Sequence, residues 1–109
     1  MIDTIFNDRL GDQYQRMIHS SGLEILLFPK KCVTTFATLV FRFGSQDTAF
    51  RMGNREHKVP DGTAHFLEHK LFARPDGTDA NEAFSRVGAE ANAWTSYDKT
   101  ANLFSTGEP

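Results

Sequence analysis

His65, Glu68 and His69 are the residues of this chain whose types and spacing could do chemistry together. They stand in the run His65-Phe66-Leu67-Glu68-His69, an HxxEH pattern. A helix turns about 100° per residue, so relative to His65 the side chain of Glu68 sits near about −60° and that of His69 near about +40°. All three then project from one face. Two neutral imidazoles four residues apart hold a zinc ion through ring nitrogens at about 2.0–2.1 Å, and a carboxylate beside them can take a proton from water. The chemistry would be metal-assisted hydrolysis. Taken alone, five residues leave a second reading open, that of a helix whose histidines are half-buried and hydrogen-bonded without a metal.

The elements around this run are legible in outline. Pro60-Asp61-Gly62-Thr63 marks the helix entry, with Asp61 or Thr63 able to accept hydrogen bonds from free backbone N–H groups. The helix should close near Arg74-Pro75, because a residue before proline avoids the helical region. Ala64, Leu67 and Leu71 fall on the opposite face and predict an apolar stripe that packs while the polar face works. Phe72 is either core filling or an apolar floor beside a metal. Pro75-Asp76-Gly77-Thr78 is turn chemistry, and Asp79 can cap a second helix that runs to about residue 87 and ends at Gly88.

Strands should frame these helices. Residues 14–19 and 23–28 flank Ser20-Ser21-Gly22, a hairpin turn, and 33–43 is rich in β-branched and aromatic residues. In that third run Leu39, Phe41 and Phe43 alternate with Val40 and Arg42, the period of a sheet with one better-covered face. Residues 44–60 are polar and irregular and read as a loop. Strand character returns at 89–95 and 100–105, around Tyr97-Asp98-Lys99. The order β-β-β-α-α-β-β predicts an α+β fold, a mainly antiparallel sheet with helices packed on one face.

Composition narrows the function. A chain of 109 residues, 39% hydrophobic and 24% charged, fits one small domain. Twelve basic and fourteen acidic residues give a charge of −2 with no long run of either sign, so neither nucleic acid nor an anionic membrane is the expected partner. The apolar run Ile25-Leu26-Leu27-Phe28 is far below the roughly 20 residues of a spanning helix. Asp3, Asp8, Arg9 and Asp12 interrupt any signal-peptide pattern. The single Cys32 cannot pair internally, which points to a reducing, cytoplasmic compartment; as a residue it is either a packing side chain or an isolated nucleophile. His57 in the polar loop and Glu82 in the second helix are each either a further metal ligand or a solvated side chain.

Two motifs in sequence carry a resemblance. The segment from Gly62 to Phe72, followed by Gly88-Ala89-Glu90-Ala91-Asn92-Ala93-Trp94-Thr95-Ser96-Tyr97-Asp98-Lys99-Thr100, resembles the insulinase/pitrilysin family of zinc peptidases. That family has the inverted HxxEH order and a following G-x-x-x-N-A-x-T-x-x-D-x-T segment, matched at Gly88, Asn92, Ala93, Thr95, Asp98 and Thr100. The Gly44-Ser45 turn and the Val59-Pro60-Asp61-Gly62 lead-in are similar to bacterial processing-peptidase-like members. The resemblance implies that His65 and His69 are Zn2+ ligands and Glu68 the general base of an endopeptidase acting on a peptide or small protein. It also implies that Asn92 and Ala93 lie on a sheet edge that receives substrate by strand addition. For Asn92 a plain turn or strand-start role stays open.

The resemblance also implies something missing. In the family a glutamate roughly 75–80 residues after the second histidine completes the usual three protein ligands of a catalytic zinc, whereas this chain ends forty residues past His69. The expectation is a single partial domain over residues 1–109, the N-terminal piece of a longer peptidase, inactive alone and prone to pair with a second copy or a related subunit. The alternative function is a non-catalytic peptide-binding or regulatory subunit of the same fold.

Overall fold

The computed structural model describes residues 2–107. Six strands precede the helices: β1 (Ile2–Asn7), β2 (Asp12–Ile18), β3 (Glu24–Leu27), β4 (Thr35–Phe41), β5 (Ala49–Met52) and β6 (Arg55–Lys58). Then come α1 (Thr63–Phe72), α2 (Ala80–Arg86), β7 (Ala89–Thr95) and β8 (Thr100–Thr106). The α+β class with antiparallel pairing is as the sequence leads one to expect. The strand count is not: β1 and the β5–β6 hairpin add three strands to the expected order. No helix among the described residues is long and apolar enough to cross a membrane. The chain divides after Cys32 into two compact units.

The first unit is an antiparallel meander in the order β1-β2-β3. Its first turn is closed by Asn7, whose Oδ1 accepts from the N–H groups of Arg9 and Leu10, both at 3.1 Å. The second turn is the one expected at Ser20-Ser21-Gly22, with Gly22 at φ +87°, a conformation that only glycine adopts cheaply. Tyr14 stacks on Phe28 at 5.0 Å, Arg16 pairs with Glu24 at 2.5 Å, and Lys30 pairs with Asp12. No described residue of this unit is buried.

The second unit holds a three-stranded antiparallel sheet in the order β4-β8-β7, with β8 in the middle. Partners run from Thr35 with Thr106 to Phe41 with Thr100 on one side, and from Ala89 with Thr106 to Thr95 with Thr100 on the other. Both helices lie on one face of it. Phe84 of α2 meets Phe104 of β8 with ring centroids 5.7 Å apart, and Glu68 of α1 reaches Thr95 of β7. By the two-residue period of a strand, that face also carries Ala91 and Ala93 of β7 and Ala37 of β4.

The expected loop at 44–60 contains the β5–β6 hairpin. Gly53, at φ +59°, occupies the first central position of its two-residue turn, where a type II′ geometry asks for glycine. Charged residues on both sides of the turn hide the alternation. The only aromatic cross-strand pair is Phe50 with His57, stacked at 5.6 Å. Gly44, by contrast, is buried, and a Cβ there would collide with the backbone of Tyr97 and Asp98. That close approach lets the Ser45 N–H donate to Ser96 C=O (2.9 Å) and the Gln46 N–H to Tyr97 C=O (3.0 Å), fastening the end of β4 to the β7–β8 turn.

Candidate metal centre

Helix α1 begins at Gly62, whose φ of +83° places it in the left-handed region, with no side-chain cap. Asp61 and Thr63 do not cap it, contrary to expectation: the Thr63 hydroxyl instead donates to Pro60 C=O at 2.7 Å. The helix runs without glycine or proline to Phe72 and stops at Ala73, whose extended backbone leads into Arg74-Pro75. α2 follows its expected caps, with the Asn81 N–H donating to the Asp79 carboxylate at 2.7 Å and Gly88 at φ +70° just beyond its end.

What α1 buries differs from the sequence expectation. Ala64 is 3% exposed and Glu68, one turn on, is 8% exposed, whereas Leu67 and Leu71 are 47% and 61% exposed. The sheet beneath offers Thr95 and Thr100, so a small residue and a hydrogen-bonding carboxylate seat the helix there. The leucines stand to its flank. Leu71 and Phe72 line an apolar cleft of about 430 Å³ with Leu39, Phe41, Phe84 and Phe104. Phe72 is therefore part of the helix–sheet packing.

The three predicted residues come together. His65, Glu68 and His69 present ligand atoms that all lie within 4.8 Å of one another, with the histidines exposed and the glutamate buried. The two Nε2 atoms are 3.0 Å apart, their rings tilted by 36°. Two nitrogens on a tetrahedral zinc at about 2.0–2.1 Å are about 3.3 Å apart. The pair fits such an ion with a small rotation, and its donor set suits zinc.

Burial of a carboxylate is costly unless something donates to it. Thr95 does, with its hydroxyl 2.6 Å from Glu68 Oε2, the length of a hydroxyl bond to a carboxylate. Thr100 lies 3.5 Å from the Thr95 hydroxyl, but its own proton goes to Phe43 C=O at 2.9 Å. Each hydroxyl has one proton, so Thr95 spends its proton on Glu68 without competition from Thr100. Sequence reasoning missed this partner. Thr95 and Thr100 are both matched positions of the second motif, which is the signal that could have singled them out.

Asn92 and Ala93 lie on β7, the edge strand of the sheet, and Asn92 is exposed. Ser96 N–H donates to Lys99 C=O at 2.8 Å at the hairpin end. Antiparallel pairs alternate between bonded and non-bonded, so Trp94 and Asn92 bond inward to β8 while the N–H and C=O of Thr95, Ala93 and Ala91 face off the edge. The Ala93 N–H is taken by Asn92 Oδ1 at 2.8 Å. An open cavity of about 360 Å³ runs beside this strand, lined by Asn81 and Ser85 of α2 and by Glu90 and Asn92. At the turn, the Ser96 hydroxyl donating to Asp98, with Lys99 nearby, holds the Asp98 carboxyl below its ordinary range.

The remaining candidates lie apart from the triad. His57 is half-buried against Phe50, Glu82 faces Arg86 one turn away at 3.7 Å, and Cys32 is exposed and free. None lies with the three residues whose ligand atoms could share a metal ion.

Comparison with known proteins agrees with this geometry. No family model matches the chain. The uncharacterized zinc protease YmfH of Bacillus subtilis strain 168 is 44% identical over 109 residues, covering 97% of this chain and 25% of that protein. AlbF of the same strain, also named as a zinc protease, is 34% identical over 103 residues, 93% of this chain and 24% of its own length. The crystal structure of an M16-like peptidase from Alicyclobacillus acidocaldarius superposes with a TM-score of 0.79 at 41% identity, over 87% of this chain and 23% of that one. The chain thus spans about a quarter of the length of the relatives it matches. With the inverted motif on α1, the Asn92 segment on β7 and these matches in hand, the chain belongs to the insulinase/pitrilysin family of zinc peptidases.

Proposed function

We propose that this chain supplies two zinc ligands and the general base of a zinc-dependent endopeptidase of the processing-peptidase-like kind. The observation that carries the reading is the pairing of His65 and His69, Nε2 atoms 3.0 Å apart, with a buried, hydrogen-bonded Glu68 beside them. Bound zinc would polarise the scissile carbonyl and acidify water. His65 and His69 would hold the ion; Glu68 would take a proton from the water whose oxygen adds to the carbonyl carbon, and would give it to the amine nitrogen as the C–N bond breaks. Ala91, Ala93 and Thr95 offer outward N–H and C=O groups to an extended peptide, and Asn92 must release the Ala93 N–H for full pairing. Backbone pairing of this kind tolerates varied side chains, so the substrate class is an extended peptide or a small protein.

Two histidines fall short of the three protein ligands usual for catalytic zinc. The 109 residues alone should therefore bind zinc weakly and hydrolyse little. A non-catalytic peptide-binding subunit would need the β7 edge but gives no reason to bury Glu68 beside paired imidazoles. Phe36, Val40 and Trp94 are exposed on the sheet face away from the helices, and a second copy or a related subunit would cover them; a strictly monomeric species in sedimentation at high micromolar concentration removes that partner. The lone Cys32 fits a cytoplasmic site of action.

The test uses a chain extended to the length of the relatives. Glu68→Gln should keep zinc stoichiometry and lose peptide cleavage by at least about 100-fold. A variant that still cleaves takes Glu68 out of its assigned role.

A further inference from the structure

The reading above makes Glu68 the base but leaves open what aims it. Helix α1 fixes the Glu68 backbone, yet a glutamate side chain retains three rotatable bonds, and proton transfer needs the oxygen held within hydrogen-bond reach of the reacting water. Among the described residues, the hydrogen bond that fixes this carboxylate is the one from the Thr95 hydroxyl, at 2.6 Å to Oε2. Oε1 carries no such bond. Thr95 is thus placed to occupy one carboxylate oxygen and leave the other for water.

Thr95 is itself held from two sides. Its strand partner is Thr100, a buried residue of the central strand whose hydroxyl is committed to Phe43 C=O at 2.9 Å. The adjoining turn is fastened to the end of β4 by the Ser45–Ser96 and Gln46–Tyr97 hydrogen bonds, through the close approach at Gly44. The backbone of the same residue faces off the sheet edge, where the N–H and C=O of Thr95 continue the outward row of Ala91 and Ala93. A peptide added to β7 would therefore pair next to the residue that holds the base.

We infer that Thr95 is a positioning residue of the reaction: its hydroxyl orients the Glu68 carboxylate while its backbone lies on the edge that receives the peptide, so one residue registers base and substrate together. The inference rests on the peptidase reading. Thr95 touches neither imidazole through this bond, so it should affect turnover without affecting metal retention.

The experiment compares wild type, Glu68→Gln, Thr95→Val and Thr95→Ser in a chain extended to the length of the relatives, reading zinc affinity by chelator competition and cleavage of a fluorogenic peptide. Thr95→Val should keep zinc affinity within about twofold and lose about 10–100-fold in kcat, with KM changed by less than about threefold; Thr95→Ser, which retains the donor, should recover to within about fivefold of wild type. If Thr95→Val turns over like wild type, the inference falls while the peptidase reading stands. If Val and Ser variants lose activity equally, or Thr95→Val loses zinc, the hydroxyl is not an orienting donor and the inference also falls. A zinc-loaded wild type that cleaves no peptide sinks the peptidase reading, and the inference with it.

Discussion

The two three-stranded sheets of this chain share a topology class and differ in what holds them. In β1–β3 no described residue is buried, and the strands are held by their backbone pairing and a ring stack, with ion pairs at the surface. In β4-β8-β7 and its helices, Gly44, Ala64, Glu68, Ala89, Thr100 and Ala101 are all buried. Five of these are small or polar, and the sixth is the carboxylate that Thr95 hydrogen-bonds. Among the described residues deep burial is scarce, and all of it lies in the second unit, with Glu68 and Ala64 on α1 and Thr100 beneath them. The lesson is that the second sheet cannot be loosened without loosening the hydrogen bond to Glu68, whereas the first has no buried described residue to disturb.

Gly44→Ala should break this contrast most severely. The added Cβ meets backbone rather than a flexible side chain end, so the end of β4 must move away from the β7–β8 turn, at a cost of about 1–3 kcal/mol. Chemical denaturation followed through Trp94, the chain's single tryptophan, reads it in the affected sheet; an unchanged midpoint would mean the turn is not fastened there. Arg16→Gln in the first sheet removes the Glu24 pair but should move its melting by less than about 2 °C, because exposed pairs contribute little. A larger loss would show that the first sheet depends on its charges after all.

The smallest effect is expected in acid, and it should be alike in both regions. Lys30, and then the Gln13 N–H, hold the Asp12 carboxyl below its ordinary value of 3.8, as the Thr78 hydroxyl and N–H do for Asp76. A lowered folded-state value means that the stabilisation is complete above the ordinary value and lost as pH falls through the lower one. Asp76 is exposed and Asp12 half-buried, and neither belongs to the second sheet. The expected outcome is a local loosening below about pH 4, seen as faster amide exchange at Gln13 and Thr78, with the sheets intact. Loss of the second sheet in that window would place a further acid-sensitive contact within it.

Much of the site could be read in the sequence because its parts are local. His65, Glu68 and His69 are set by helical spacing alone, and the start of α2 is set by Asp79, its end by Gly88. The edge position of Asn92 and Ala93 followed from a motif match; their role as substrate contacts belongs to the proposal. What stayed hidden was non-local or unpatterned. Thr95 lies 27 residues from Glu68, and only the sheet order brings them together. The β5–β6 hairpin, charged on both sides, shows no alternation to find. Leu67 and Leu71 misled because an apolar stripe predicts burial only where a layer exists to cover it, and here Ala64 and Glu68 make the contact.

The register of β4 against β8 has a consequence for how the site comes into being. The imidazole pair needs only α1, a segment whose contacts lie within one turn and whose formation is fast. The hydrogen bond to Glu68 comes from Thr95, beside a turn fastened to the end of β4, and β4 pairs with β8 across roughly 60–70 positions of the chain, a pairing that is slow to form. The imidazole pair thus rests on contacts within one helix, whereas the hydrogen bond from Thr95 to Glu68 waits on pairing between distant parts of the chain.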